Sequence, residues 1–140
     1  MSTTKPVLAG LITCGAVAAL LAGCSSPTPS ENTDQACASA GAFRTAVKDF
    51  TATLSPDTTV DEVQAAREDV QRTFEDLMEE GGDVAEDKRE ALNKSVGEFQ
   101  TAVDAVPDDA TLLERAAVLR AEVAKVDVTR DEYVAELGCG

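Results

Sequence analysis

Residues 36–54 read "ACASAGAFRTAVKDFTATL", and their apolar side chains recur at alternating intervals of four and three residues. This spacing places those side chains on one face of an α-helix, whereas a half-buried strand would alternate every two residues. The positions in the pattern are Ala36, Ala40, Phe43, Val47, Phe50 and Leu54. The stretch therefore predicts an amphipathic helix whose apolar seam packs against other helices.

Three more stretches with the same periodicity follow, separated by segments rich in Gly, Pro and Asp, which interrupt helices. These segments are "LSPDTT" at 54–59, "EGGD" at 80–83 and "VPDD" at 106–109. Short loops make consecutive helices antiparallel neighbours, so we predict an all-α fold, an antiparallel four-helix bundle. The predicted helices cover residues 36–54, 59–80, 83–106 and 108–137.

Capping boxes predict where the later helices begin. Thr59 and Asp83 are each followed three residues later by Glu, the spacing of a reciprocal N-terminal cap. Thr129 is also followed by Glu three residues later, inside the fourth predicted helix, so a kink is predicted near 127–129. A three-helix core with a split fourth segment is the alternative architecture.

The first 23 residues have the pattern of a secretory signal peptide. Lys5 and the amino terminus supply positive charge, and residues 7–22 carry no charged side chain and are mostly apolar or small. This run is shorter than the ~20 residues that a bilayer-spanning helix normally needs. A permanent transmembrane helix is the alternative interpretation.

Residues 21–24, "LAGC", end this segment and resemble the lipobox of bacterial lipoproteins: an aliphatic residue, a small one, Gly or Ala, then Cys. The resemblance implies cleavage between Gly23 and Cys24 and attachment of a diacylglyceryl group to the sulfur of Cys24. Two acyl chains hold a protein stably on a bilayer without a spanning helix. The expected location is the cell membrane, lipid-anchored on the extracytoplasmic side. The alternative is that Cys24 remains an ordinary cysteine after signal cleavage.

The mature chain then divides into two parts. Residues 24–35 contain the lipidated cysteine and a polar segment without large apolar side chains, which predicts a flexible tether. Residues 36–140 form the predicted acidic helical domain. Their abundance of Ala, Val, Asp, Glu and Arg resembles the composition of an actinobacterial protein.

The four cysteines of the chain support an exported protein. Cys14 leaves with the signal peptide and Cys24 carries the lipid, so Cys37 and Cys139 remain. Disulfides persist in oxidising compartments outside the cytoplasm, and we therefore predict a Cys37–Cys139 disulfide. Four antiparallel helices would bring these two residues to the same end of the bundle. A zinc site is not expected, because two cysteines without any histidine provide too few ligands.

The charge balance limits the class of function. The chain has 12 basic and 26 acidic residues and a net charge of −14, which argues against binding to nucleic acid. Its densest acidic segment, "FEDLMEEGGDVAED" at 74–87, lacks the ligand spacing of a calcium loop, and a solvated helix end explains it better than a cation site. The chain has no histidine and no recognisable catalytic motif, so we predict no enzymatic activity, cofactor or metal.

Three arginines interrupt the apolar seams: Arg67, Arg89 and Arg130. In an antiparallel bundle, Arg89 and Arg130 fall in the half close to the predicted disulfide. They could form a small anion or partner site there, or they could extend along the seam edge and pair with nearby carboxylates.

The predicted function is that of a membrane-anchored, extracytoplasmic lipoprotein. Its helical domain is expected to bind another envelope or secreted protein, or to have a structural role at the cell surface. The alternatives are a small-ligand or cation-binding module and an acidic neutraliser of a basic protein.

Overall fold

The computed structural model describes residues 28–82, 84–107 and 112–140, and these form four α-helices without any strand. The helices are α1 (Pro29–Ala52), α2 (Val60–Glu80), α3 (Glu86–Asp104) and α4 (Leu112–Leu137). The predicted all-α fold of four helices is therefore confirmed. The predicted signal peptide and Cys24 lie outside the described residues.

The bundle consists of two helix pairs. α1 packs along α2 and α3 packs along α4, while α1 also contacts α4 and so joins the two pairs. α2 and α3 make little contact with each other, although the shortest of the three interhelical connections joins them. The α1–α4 junction is less extensive than the junctions within the pairs, and the buried Arg130 lies at it.

The core is built from the predicted seams. All six seam positions of the first predicted helix are buried, and Phe43 and Phe50 are 0% exposed. Phe50 meets Phe99 of α3 edge-on with ring centroids 4.7 Å apart, and Phe43 contacts Phe74 of α2 at 5.9 Å. Further core residues from the other helices are Val63, Val70, Leu77, Leu92, Val96, Val103, Ala116, Leu119, Val123, Val126 and Tyr133.

α1 begins at Pro29, seven residues before the predicted start at Ala36. Residues 29–35, which we had assigned to the tether, are therefore helical. The reason is a capping box: the Thr28 N–H donates to a Glu31 carboxylate oxygen at 2.8 Å, and the Glu31 N–H donates to Thr28 Oγ1 at 3.4 Å. Pro29 occupies the first helical position, where its missing N–H costs nothing.

α4 is helical without a break from Leu112 to Leu137, so the alternative of a split fourth segment is wrong. Thr129 does not cap a new helix, because its hydroxyl donates to the carbonyl of Lys125, one turn earlier, at 3.1 Å. The same hydroxyl shares a hydrogen bond of 2.6 Å with Ser95 of α3. Glu132, the other half of the predicted cap, pairs instead with Lys88 of α3 at 3.1 Å.

The other predicted helix ends agree with the structure in part. Thr59 and Glu62 form the predicted capping box at the start of α2. Asp83 lies outside the described residues, and α3 begins at Glu86 after Ala85, which provides no side-chain cap. Gly138 follows α4 with a φ of +74°, a conformation that glycine adopts without strain.

The predicted disulfide between Cys37 and Cys139 is present, with Cα atoms 5.6 Å apart. The bond joins the first part of α1 to Cys139, which lies two residues after the end of α4. The beginning of α1 and the end of α4 therefore lie at the same end of the bundle, as an even number of antiparallel helices requires. We call this the disulfide end.

Candidate functional site

Arg130 is buried at the α1–α4 junction, with 7% of its surface exposed. Its guanidinium forms ion pairs with Asp127, one turn earlier on α4, and with Asp131 at 2.8 Å. The carboxylate side chains of Asp127 and Asp131 are 45% and 74% exposed, so they cover the guanidinium from the solvent side. Arg130 is therefore neutralised by its own helix and needs no partner from the other three.

Arg89 has a different environment. Its guanidinium donates to the backbone carbonyls of Met78 and Gly82, both at 3.3 Å, at the carboxyl-terminal end of α2. The last carbonyls of a helix lack partners within the helix, and the helix dipole favours a cation there. Arg89 thus links the start of α3 to the end of α2, two consecutive helices that otherwise make little contact.

The structure does not bring Arg89 and Arg130 together. Arg89 binds carbonyls of α2, whereas Arg130 binds carboxylates of α4 and lies against α1. The third seam arginine, Arg67, is half-buried and pairs with Asp104 of α3 at 3.0 Å, near the opposite end of the bundle. Arg67 and Arg130 thus pair with carboxylates, as the simpler of the two interpretations predicted for Arg130, whereas Arg89 binds backbone carbonyls, which neither interpretation predicted.

Arg130 instead lines a groove of about 530 Å³ between α1 and α4. We call it the α1–α4 groove. Its lining residues are Arg44, Val47, Lys48, Asp49, Thr51, Ala52, Asp127 and Arg130. Sequence reasoning missed Arg44 and Lys48, although two cations four residues apart in a strongly acidic chain provided a signal.

A second groove, of about 560 Å³, lies between α3 and α4 and is mostly apolar. Its residues are Ala91, Lys94, Ser95, Glu98, Ala124, Lys125, Val128 and Thr129. Lys125 pairs across the groove with Glu98 at 3.4 Å and along α4 with Glu122 at 2.9 Å. The hydrogen bond that the Lys125 ammonium donates to the Glu122 carboxylate raises the pKa of Lys125 above its ordinary value. The cations of this groove are therefore already paired with carboxylates.

The disulfide end contains a tight contact between α2 and α4. The hydroxyl of Tyr133, a residue with no exposed surface, donates to the carbonyl of Gly81 at 3.4 Å. Burial raises the pKa of Tyr133, and the nearby charge of Arg89 opposes this rise. A methyl group at position 81 would lie 1.7 Å from the tyrosine hydroxyl oxygen, so only glycine permits this approach.

The acidic segment at 74–87 lies at the same end. Glu79 and Glu80 line a cavity of about 500 Å³ together with Glu136 of α4. Across the described part of the chain, no three His, Cys, Asp or Glu side chains are grouped closely enough to hold a metal ion. Asp83, in the middle of the segment, is outside the described residues.

The remaining predicted sites concern the amino-terminal region. Gly23 and Cys24 lie outside the described residues, so the structure gives no geometry for the cleavage or lipidation site. Among the helices of the described residues, none has both the length and the apolar character needed to cross a membrane. Comparisons of the chain with protein-family models, with curated proteins and with solved structures found no match.

Proposed function

We propose that this protein is a lipoprotein anchored through Cys24 to the extracytoplasmic side of the cell membrane. The observation that carries the proposal is the Cys37–Cys139 disulfide. Disulfides of this kind persist outside the reducing cytoplasm, which supports export of the chain. The pairing also accounts for two of the three cysteines after residue 23, and the third, Cys24, is the last residue of the lipobox-like "LAGC".

The early start of α1 gives the anchored protein a short connection to the membrane. Only residues 25–28 separate Cys24 from Pro29. Four residues reach at most about 14 Å when fully extended. The disulfide end of the bundle would therefore lie next to the lipid surface, with the α1–α2 and α3–α4 loops facing away from it.

We propose a non-catalytic role for the bundle, namely interaction with another protein of the envelope or with a secreted protein. The shifted pKa values in the described residues have structural causes: helix caps lower those of Glu31 and Glu62, hydrogen bonds to carboxylates raise those of Lys88 and Lys125, and burial in the core raises that of Tyr133. Catalytic groups are normally found where burial and neighbouring charges shift a pKa within a cleft. The pattern here supports a stable scaffold that presents a surface.

The anchor is tested by replacing Cys24 with Ala and by using Cys14→Ala as the matched control. Wild type and the control are expected in the membrane fraction, with a mature mass increased by a diacylglyceryl group. Cys24→Ala is expected to lose both properties, because the thiol is the attachment point. A Cys24→Ala protein that stays in the membrane fraction at the wild-type mass would contradict the proposal.

The interaction is tested by placing a photo-crosslinking amino acid at one exposed position on each helix. Suitable positions are Thr45, Glu68, Thr101 and Ala121. A partner with a defined docking surface is expected to crosslink strongly from one helix or two neighbouring helices of the anchored protein in cells. Equal crosslinking from all four positions, or crosslinking from none, would contradict a specific interaction.

A further inference from the structure

The α1–α4 groove contains two cations without a carboxylate partner. Arg44 and Lys48 are exposed on α1 and form no ion pair or hydrogen bond with any described residue. Six other Lys and Arg side chains pair with carboxylates, namely Arg67, Arg72, Lys88, Lys94, Lys125 and Arg130. Two more, Arg89 and Arg120, donate to backbone carbonyls. Among the described residues, only Arg115 of α4 shares this lack of a partner, and Arg115 does not line the groove.

The position of the pair is unfavourable for the isolated helix. Arg44 and Lys48 are four residues apart, and like charges at this spacing destabilise a helix by about 0.2–0.5 kcal/mol. The chain has more than twice as many acidic as basic residues, so an acidic neighbour would be the commoner arrangement. A bound anion would remove the repulsion between the two side chains.

Arg130 adds a third cation on the opposite wall of the groove. Arg130 occupies a seam position, and most seam positions in the other helices are apolar. A buried ion pair is weak evidence that a residue stabilises the fold. Its ion pairs with Asp127 and Asp131 hold the guanidinium in place beside α1. Arg130 is therefore a fixed wall of the groove, and the cations available to a ligand are Arg44 and Lys48.

We propose that the α1–α4 groove binds a small ligand through a single carboxylate or phosphate group. Arg44 and Lys48 would donate to its oxygen atoms, and Arg130, held by Asp127 and Asp131, would form part of the opposite wall. The volume of about 530 Å³ lies within the range of small-molecule sites. Asp49 and Asp127 also line the groove, so a polyanion would be repelled while a ligand with one anionic group would be accepted.

This site is independent of the proposed lipid anchor and can be tested without it. The full-length chain, purified in a nonionic detergent, is titrated at low ionic strength with inorganic phosphate and separately with acetate, and binding is followed by calorimetry and by NMR. Saturable binding is expected, with the largest amide shifts near Arg44, Lys48 and Arg130. Phosphate is expected to bind more tightly than acetate, since its greater charge strengthens the hydrogen bonds.

The decisive variant is Arg44→Gln/Lys48→Gln, with Arg72→Gln/Lys94→Gln as the control that removes the same charge from α2 and α3. The first is expected to weaken phosphate binding by about tenfold or more, and the control by less than about twofold. Asp49→Asn is expected to tighten binding, because it removes a repulsive carboxylate. This third variant keeps the test informative if the double variant is poorly folded.

Three results would overturn the proposal. The first is a lack of saturable binding by the wild-type chain to either anion. The second is an equal loss of affinity in the double variant and its control, which would indicate a response to overall charge. The third is weaker binding by Asp49→Asn.

Discussion

Replacing Gly81 with Ala tests the contact that joins α2 to α4 at the disulfide end. A Cβ at this position would lie 1.7 Å from the hydroxyl oxygen of Tyr133 and 2.8 Å from the ring carbon that carries it. Carbon atoms in packed interiors are normally about 3.5–4.0 Å apart. Since Tyr133 has no exposed surface, its ring can move away only by displacing other core residues.

The expected cost is about 1–3 kcal/mol of unfolding free energy, the usual penalty for adding a methyl group to a filled site. The φ of −79° and ψ of 20° at Gly81 are accessible to alanine, but the Cβ would also lie 2.9 Å from the backbone carbonyl oxygen of Leu77, which adds to the cost. The reduced freedom of the unfolded chain offsets the cost by about 0.4–1 kcal/mol. The variant is therefore expected to be clearly less stable than wild type, mainly through the tyrosine.

Two comparisons isolate this cause. Gly82→Ala is the matched control, since a Cβ there would meet nothing within 4 Å, and its stability is expected to equal or slightly exceed that of wild type. Tyr133→Phe removes the hydroxyl, so the cost of Gly81→Ala should fall in that background by about 0.5–3 kcal/mol, the coupling typical of residues in contact.

The measurement is urea denaturation of the four proteins of this cycle and of the control, followed by far-UV circular dichroism. The reasoning is refuted if Gly81→Ala is as stable as wild type. It is equally refuted if the substitution costs the same with and without the tyrosine hydroxyl, because the destabilisation would then have another origin.

Three further predictions concern the disulfide, the buried arginine and a helix cap. Removal of the disulfide in Cys37→Ala/Cys139→Ala is expected to lower the unfolding free energy by about 4–5 kcal/mol, because the bond closes a loop with a sequence separation of 102. A loss below about 1 kcal/mol in urea denaturation would contradict this. Arg130→Met is expected to be as stable as wild type within about 1 kcal/mol, or more stable, since its carboxylate partners are exposed and can be hydrated. A loss of about 3 kcal/mol or more would show that the ion pairs are structurally essential. The pKa of Glu62 is lowered by its hydrogen bonds to Thr59, so its contribution to stability is present above its ordinary value of 4.5 and is lost as the pH falls through the lower folded value. Glu62→Gln should therefore lose less stability than wild type on acidification below pH 4.5, and identical profiles of melting temperature against pH would exclude this contribution.

The amino-acid sequence was sufficient to predict the number and type of the helices. The apolar residues of each helix recur about once per helical turn. This pattern lies within a single segment, so it can be recognised without knowing which other helices pack against it. The spacing also predicted the capping box at Thr59, whose hydrogen bonds join groups only three residues apart. Thr28 and Glu31 have the same spacing, but the polar composition of this segment predicted a tether where α1 in fact begins.

Predictions from short sequence patterns were wrong where contacts with another helix competed with the local hydrogen bonds. Thr129 and Glu132 have the spacing of a cap, yet Ser95 and Lys88 of α3 engage the two side chains and α4 continues. Arg89 and Arg130 could have formed a shared anion site, but Arg89 binds carbonyls of α2 and Arg130 binds carboxylates of α4. A helical position predicts which face a residue occupies and does not predict which neighbour will satisfy its charge.

The sequence by itself therefore determined the helices, the export-like amino-terminal pattern and the pairing of Cys37 with Cys139. Each of these predictions depends on the spacing of residue types along the chain or on the number of cysteines, which leaves few alternative pairings. Only the tertiary structure decided that α1 lies against α4 and that Arg44 and Lys48 share a groove with Arg130. The physical reason is that four amphipathic helices can exchange neighbours at little cost in apolar burial, whereas the fit of residues such as Tyr133 against Gly81 selects one arrangement.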